Sequence, residues 1–253
     1  YNSPAIEWVI GSFMLFFGIN FNLFYLLLMR KFKMFFEDEE LHWYFGIVFL
    51  SVLFIFANIF VSYQDKIKAL RDSFFSVATV ISTTGFGTAD FSNWPPLSRG
   101  ILFILMFFGG MAGSTAGGVK ISRLMMCLKG ATSELKRQRE PGRMVPVFMN
   151  KKPVSQNAYK PLFGYMAMYF LIFVVLFLIL ANETKDFISA ISASTAIFNN
   201  IGPGFNQVGP SGNYLFFSPV AKLAMSLAMI AGRLEIWPVV ALFYFKKRSF
   251  KHI

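Results

Sequence analysis

The sequence predicts an all-α integral membrane protein, built from parallel repeats of helix, re-entrant short helix with a glycine loop, and helix. Three observations carry that expectation. The 253 residues are 55% hydrophobic and only 15% charged, with 33 phenylalanines, whereas a soluble domain carries roughly 25% charged residues. Five apolar segments are long enough for a bilayer core of about 30 Å, which takes ~20 helical residues. Two shorter, more polar segments each end in a glycine loop, and the two loops align with one another.

The five long segments are 4–29, 41–61, 97–128, 161–180 and 216–245, the third of them interrupted. The acidic run Glu37, Asp38, Glu39, Glu40 precedes the second and is expected to cap its N-terminus. His42, Trp43, Trp94 and Trp237 lie where a membrane interface favours them. The two short segments, 67–82 and 186–198, fall short of a comfortable span. Each passes into a Gly-containing loop, a polar stretch and then the next long segment, which is the outline of a half-helix that enters the membrane and returns. The single Cys127 excludes an intrachain disulfide and a cysteine-rich metal site. The chain starts at Tyr1 and runs at once into an apolar segment without a signal-peptide layout, so it reads as part of something longer.

Charge sets the expected orientation. Arg30, Lys31 and Lys33 follow the first span, ten Lys or Arg lie between 120 and 160, and Lys246, Lys247, Arg248 and Lys251 close the chain, so that 17 of the 24 basic residues share one side. The positive-inside rule makes that side cytoplasmic and leaves the glycine loops opening to the outside. The net charge of +11 is thus a topology signal. It points to anionic lipid or a cytosolic partner rather than to nucleic acid.

An offset of 117 residues aligns the two halves. Val80-Ile81 meets Ile197-Phe198, Ser82-Thr83 meets Asn199-Asn200, Gly85 meets Gly202 and Gly87 meets Gly204. Both copies start inside, so the repeat is parallel. The first span belongs to neither copy and reads as the last helix of an earlier repeat. A cation that sheds its water in a bilayer needs replacement ligands, and backbone carbonyls of re-entrant loops supply them. Neither loop carries an acid before its first glycine, which favours a carbonyl-lined potassium-type site over a calcium- or sodium-type one. The competing reading is an ordinary outer turn with Ser/Thr caps. Because Asn199 and Asn200 stand where the first copy has Ser82 and Thr83, the shared requirement is the glycine and the backbone it frees.

The stretch 109–118 holds five glycines in ten residues inside an apolar span. At about 1 kcal/mol per Gly relative to Ala, a continuous helix is disfavoured. GxxxG packing and a broken helix lining a cavity both remain open. A phosphate loop is rejected, because Val119 separates the last glycine from Lys120 and no strand precedes. Arg233 lies in the middle of the last span, where a buried arginine faces a cavity or a partner. It is read as a donor to carbonyls freed by the 109–118 break and as a positive barrier near a pore, against a structural pairing with an acid of another helix. An intramembrane enzyme is disfavoured: His42 and His252 lie at span ends and the acids are almost all outside the spans.

The motifs "STTGFGTADFSNWP", "FFGGMAGSTAGGVKISR", "FNNIGPGF", "AGRLE" and "GINFNLFY" resemble the Trk/Ktr/HKT superfamily of potassium transporters, and within it the bacterial TrkH-type subunit. The resemblance covers the whole chain. It implies four helix–pore-helix–helix repeats around one pore, as in potassium-channel-like transporters. On it, 1–33 is the last helix of an upstream repeat, 34–129 the third repeat with an interrupted inner helix, 130–160 a cytoplasmic basic loop and 161–253 the fourth repeat. The implied filter residues are Ser82, Thr83, Thr84 and Gly85 with Asn199, Asn200, Ile201 and Gly202. The implied gate is Gly109, Gly110, Gly113, Ser114, Thr115, Ala116, Gly117 and Gly118, with Arg233 helping to hold it. Potassium is the implied substrate and only metal, with no cofactor in this chain. The implied partners are a second copy and a cytosolic nucleotide-binding regulatory subunit, for which the basic 120–160 region is a contact. The implied setting is a bacterial inner membrane. The alternative is a transporter of another cation or small solute with a different coupling mechanism.

Overall fold

The structure, a computed structural model, describes residues 3–140, 146–154 and 156–234. It is mostly helical. The chain runs α1 (Pro4–Phe17), α2 (Phe21–Leu28), α3 (Phe32–Phe36), α4 (Glu39–Ile59), α5 (Lys66–Ile81), α6 (Pro96–Leu105) and α7 (Ile121–Arg139). A small hairpin, β1 (Phe148–Met149) and β2 (Lys152–Pro153), then leads to α8 (Gln156–Ala181), α9 (Phe187–Phe198) and α10 (Pro219–Arg233).

Among the described residues, two helices are long and apolar enough to cross a membrane, Glu39–Ile59 and Pro161–Ala181. Their surfaces expose Phe45, Phe49, Phe54, Phe163, Phe170 and Leu178, the composition of a lipid-facing wall. Each packs a shorter, more buried helix: α4 lies against α5 and α8 against α9. The α5 face from Phe75 to Ile81 and the α9 face from Ser192 to Phe198 are buried. Small residues such as Ala78, Ala193 and Ala196 let the surrounding helices approach closely. Both short helices start at an aspartate N-cap. Asp65 accepts from Ile67 and Lys68, and Asp186 from Ile188 and Ser189. One apolar cluster gathers α1, α4, α5 and α6, and a second gathers α8, α9 and α10.

Three segments differ from the sequence reading. The first span, 4–29, is not one helix, because α1 and α2 meet at 96°. Gly18 ends α1 and Asn20 starts α2 afresh by accepting from the Asn22 amide at 2.9 Å. The acidic run caps more than α4. Asp38 alone is its N-cap, at 2.9 Å from the Leu41 amide, while its neighbours turn elsewhere. The boundary drawn at 129/130 falls inside α7, which continues to Arg139. Beyond it the hairpin turns tightly through Asn150 and Lys151, both at positive φ. The part of the segment 216–245 that follows Leu234, with Glu235 and Trp237, and the final basic cluster lie outside the described residues.

Candidate functional site

The two glycine loops begin where α5 and α9 stop, and they stop in the same way. The amides of Ser82, Thr83, Thr84 and Gly85 donate to the carbonyls of Ala78, Val80, Thr79 and Thr79 at 3.1, 3.1, 3.0 and 3.5 Å. The amides of Asn199, Asn200, Ile201 and Gly202 donate to those of Thr195, Ile197, Ala196 and Ala196 at 3.0, 3.1, 2.8 and 3.4 Å. Every donor and acceptor is displaced by the 117-residue offset. This is a Schellman-type ending, in which the residue after the cap turns left-handed. Thr83 and Asn200 do so at φ 54° and 60°, followed by Gly85 and Gly202 at 81° and 103°.

That ending aims carbonyls. In a planar trans peptide the N–H and the C=O point in opposite directions. The amides of 83, 84 and 85 point back at the helix end, so the carbonyls of Ser82, Thr83 and Thr84 point away from it. The same holds for Asn199, Asn200 and Ile201. Among the described residues none of these six carbonyls accepts a hydrogen bond. The two loops also touch: a Cβ on Gly85 would collide with the Ile201 carbonyl oxygen. Gly202 has open space around it and needs glycine for its backbone angle alone.

The side chains behind the loops differ between the copies because their neighbours differ. Ser82 Oγ donates to the Ala78 carbonyl at 2.6 Å. Asn199, fully buried, accepts from Tyr169 Oη at 2.6 Å and donates to Thr195. Asn200 Nδ2 donates to the Met229 carbonyl of α10 at 3.0 Å. At the start of α9, the Asp186 carboxyl is held below its ordinary value by the Asn206 amide, 2.6 Å away, and by Ser189. The Glu183 carboxyl is lowered by the Ser218 hydroxyl and amide.

The Gly-rich segment is not helical. Between α6 and α7 the chain leaves helix geometry from 106 to 120, which excludes GxxxG packing of a continuous helix. Broken backbone at membrane depth must find partners, and this one finds them on other elements. Gly109 and Val119 close the neck of the loop at 2.9 Å. The Met111 amide donates to the Gly18 carbonyl at 2.8 Å, and the Gly113 carbonyl accepts from the Phe21 amide at 3.2 Å. Thr115 Oγ1 donates to the Phe17 carbonyl at 3.2 Å. The break between α1 and α2 therefore receives the break between α6 and α7. The Gly117 amide donates to Thr83 Oγ1 at 2.8 Å, and a Cβ on Gly117 would lie 2.5 Å from the Asn199 carbonyl oxygen. That glycine sits against both loops at once. The Ala112 amide, finally, donates to Glu40 Oε1 at 2.8 Å.

Arg233 is not brought onto the 109–118 loop. It is the last residue of α10, exposed, with no hydrogen bond or ion pair among the described residues. The freed groups are met by Glu40, Thr83 and the 17–21 backbone instead. Arg233 does lie close to the second glycine loop, since a Cβ on the preceding Gly232 would collide with the Phe198 carbonyl. Neither Glu40 nor the α1–α2 break was singled out from sequence. The signals were a second carboxylate beyond the N-cap of α4 and the cap-forming Gly18-Ile19-Asn20.

A family model described as TrkH, cation transport protein, matches residues 1–252. The Trk system potassium uptake protein TrkH of Escherichia coli (strain K12) is 32% identical over 250 residues, covering 96% of this chain and 50% of that protein. TrkG of the same strain is also 32% identical, over 246 residues, with the same shares covered. The crystal structure of the potassium transporter TrkH from Vibrio parahaemolyticus superposes with a TM-score of 0.87 at 30% identity, covering 96% of this chain and 52% of that one. The chain thus spans about half the length of the curated relatives it matches. With the match running from residue 1 to 252 and the fold shared with a solved relative, the chain belongs to the TrkH family of cation transport proteins, integral membrane transporters rather than enzymes.

Proposed function

We propose that this chain is the C-terminal half of a potassium-conducting membrane subunit, in which the loops 82–85 and 199–202 form two of four filter quadrants and 109–118 is the gate. One observation carries the reading: six carbonyls, from Ser82 to Thr84 and from Asn199 to Ile201, project from matched helix endings and accept no hydrogen bond among the described residues. A backbone acceptor without a partner is costly, and a partly dehydrated cation is the ligand that satisfies a ring of them. Potassium uptake is what the relatives' names state of them, and it fits loops without filter acids.

The ion passes the filter and then meets the Gly-rich loop, which is suspended from the filter through Gly117 and Thr83. Arg233 acts on this path through its charge beside the 198–200 backbone rather than by holding the loop. On this reading 1–33 closes an upstream repeat, 34–129 and 161–253 are the third and fourth repeats, and the filter loops face outside a bacterial inner membrane. The α7 end and the hairpin region then face the cytoplasm, where a nucleotide-binding regulatory subunit docks on a homodimer. The test is rubidium uptake into liposomes holding the full-length protein. Uptake that potassium suppresses at far lower concentration than sodium supports the reading, and equal suppression by both contradicts it.

A further inference from the structure

Glu40 is a buried carboxylate, 8% exposed, at the start of α4. Its Oε1 accepts from two backbone amides ten residues apart, Ala112 at 2.8 Å and Ser122 at 2.9 Å. Ala112 lies in the Gly-rich loop. Ser122 is the second residue of α7, so its amide belongs to the positive, unpaired end of that helix. A single oxygen thus ties the middle of the loop to the helix that resumes after it. Both donors lack an intrahelical partner, so the Glu40 oxygen is the acceptor that keeps two buried amides paired.

The base of this tie is itself fixed. Next to Glu40, Glu39 Oε2 pairs with Lys129 of α7 at 2.5 Å and accepts from the Asn150 amide at 3.2 Å. Asn150 Oδ1 accepts from the Glu39 amide at 2.8 Å, and its Nδ2 donates to Asp38 Oδ2 at 2.9 Å. Consecutive acids therefore serve different tasks: Asp38 caps α4, Glu39 grips α7 and the hairpin, and Glu40 alone reaches the loop.

We propose that Glu40 is a positioning residue of the gate, the latch that keeps the 109–118 loop in its obstructing position. The proposal rests on the reading of that loop as the gate. Once the latch is gone the loop retains its bonds to Gly18, Phe17, Phe21 and Thr83 and, at its neck, the bond from the Ile121 amide of α7 to the Gly110 carbonyl, but its middle at Ala112 loses its tie to α7, and its open arrangement gains population.

The test uses the full-length protein in liposomes, with rubidium flux and rubidium-over-sodium preference measured for four variants. Glu40→Ala removes the acceptor, Glu40→Asp withdraws it by one methylene and Glu40→Gln keeps an oxygen in place. A fourth variant lacks residues 113–115 and tests the gate itself. Glu40→Ala and Glu40→Asp are expected to raise flux roughly tenfold with ion preference kept, the loss of two buried hydrogen bonds being ample for such a shift. Glu40→Gln is expected to stay near the parent. If Glu40→Ala does not insert, Glu40→Asp decides. Parent-level flux in the Glu40 variants beside high flux in the shortened loop overturns the latch and leaves the gate. Unchanged flux in the shortened loop overturns the gate reading. Flux and preference falling together in Glu40→Asp overturns the latch in favour of a general folding role.

Discussion

The Gly117 amide donates to the Thr83 hydroxyl oxygen at 2.8 Å, across 34 residues of sequence. Thr83 is a β-branched residue at φ 54°, a backbone state that costs such residues about 1–3 kcal/mol. The strained residue of one loop is thus the acceptor for the other. Thr83→Val keeps the shape and removes the acceptor, leaving a buried amide unpaired at about 1–3 kcal/mol. Flux assays on the full-length protein should show altered flux and weaker potassium preference in Thr83→Val, and near-parent values in Thr83→Ser.

Gly85 and Gly202 are equivalent by sequence but not by surroundings. Alanine at 202 meets only backbone strain, whereas at 85 it also meets the Ile201 carbonyl oxygen. Gly85→Ala should therefore lower selective uptake more than Gly202→Ala. Serine at either position should change ion preference, measured as the ratio of potassium to sodium needed to halve rubidium uptake.

Tyr169→Phe tests the support behind the second loop. The hydroxyl is the donor to Asn199 Oδ1, and both groups are buried. Its loss should cost about 1–2 kcal/mol, read as a lower thermal midpoint in detergent with looser selectivity at unchanged expression.

Arg233→Ala removes a positive charge from the 232–233 corner that abuts the Phe198 carbonyl. Cation flux should rise. Because the arginine does not bond the Gly-rich loop, the rise should add to that of Glu40→Ala when the two are combined, in a double-mutant cycle on flux.

Much of this was legible beforehand because local chemistry dictates it. Five glycines in ten residues cannot sustain a helix, and the 106–120 stretch does not. The 117-residue offset survives down to single hydrogen bonds, because the helix ending depends on backbone geometry that Thr83 and Asn200 both reach. What stayed hidden depends on which element lies opposite. The bend at Gly18 to Asn20 sits within a segment that stays apolar on average despite Asn20 and Asn22, and averaged hydropathy does not register it. The task of the Thr83 hydroxyl is hidden in the sequence because its counterpart is an asparagine. Each in fact serves its own neighbour, Gly117 in one case and Met229 in the other. Glu40 is one of four acids in a row, and only the tertiary arrangement separates its task from theirs.

The most direct test of the carbonyl site is anomalous scattering at the rubidium edge from crystals of the full-length protein grown in a rubidium salt. A peak between the two loops, within coordination distance of the carbonyls of Thr83, Thr84, Asn200 and Ile201, is the predicted result. Well-ordered loops with no peak between them, and rubidium bound elsewhere in the membrane region, would contradict it.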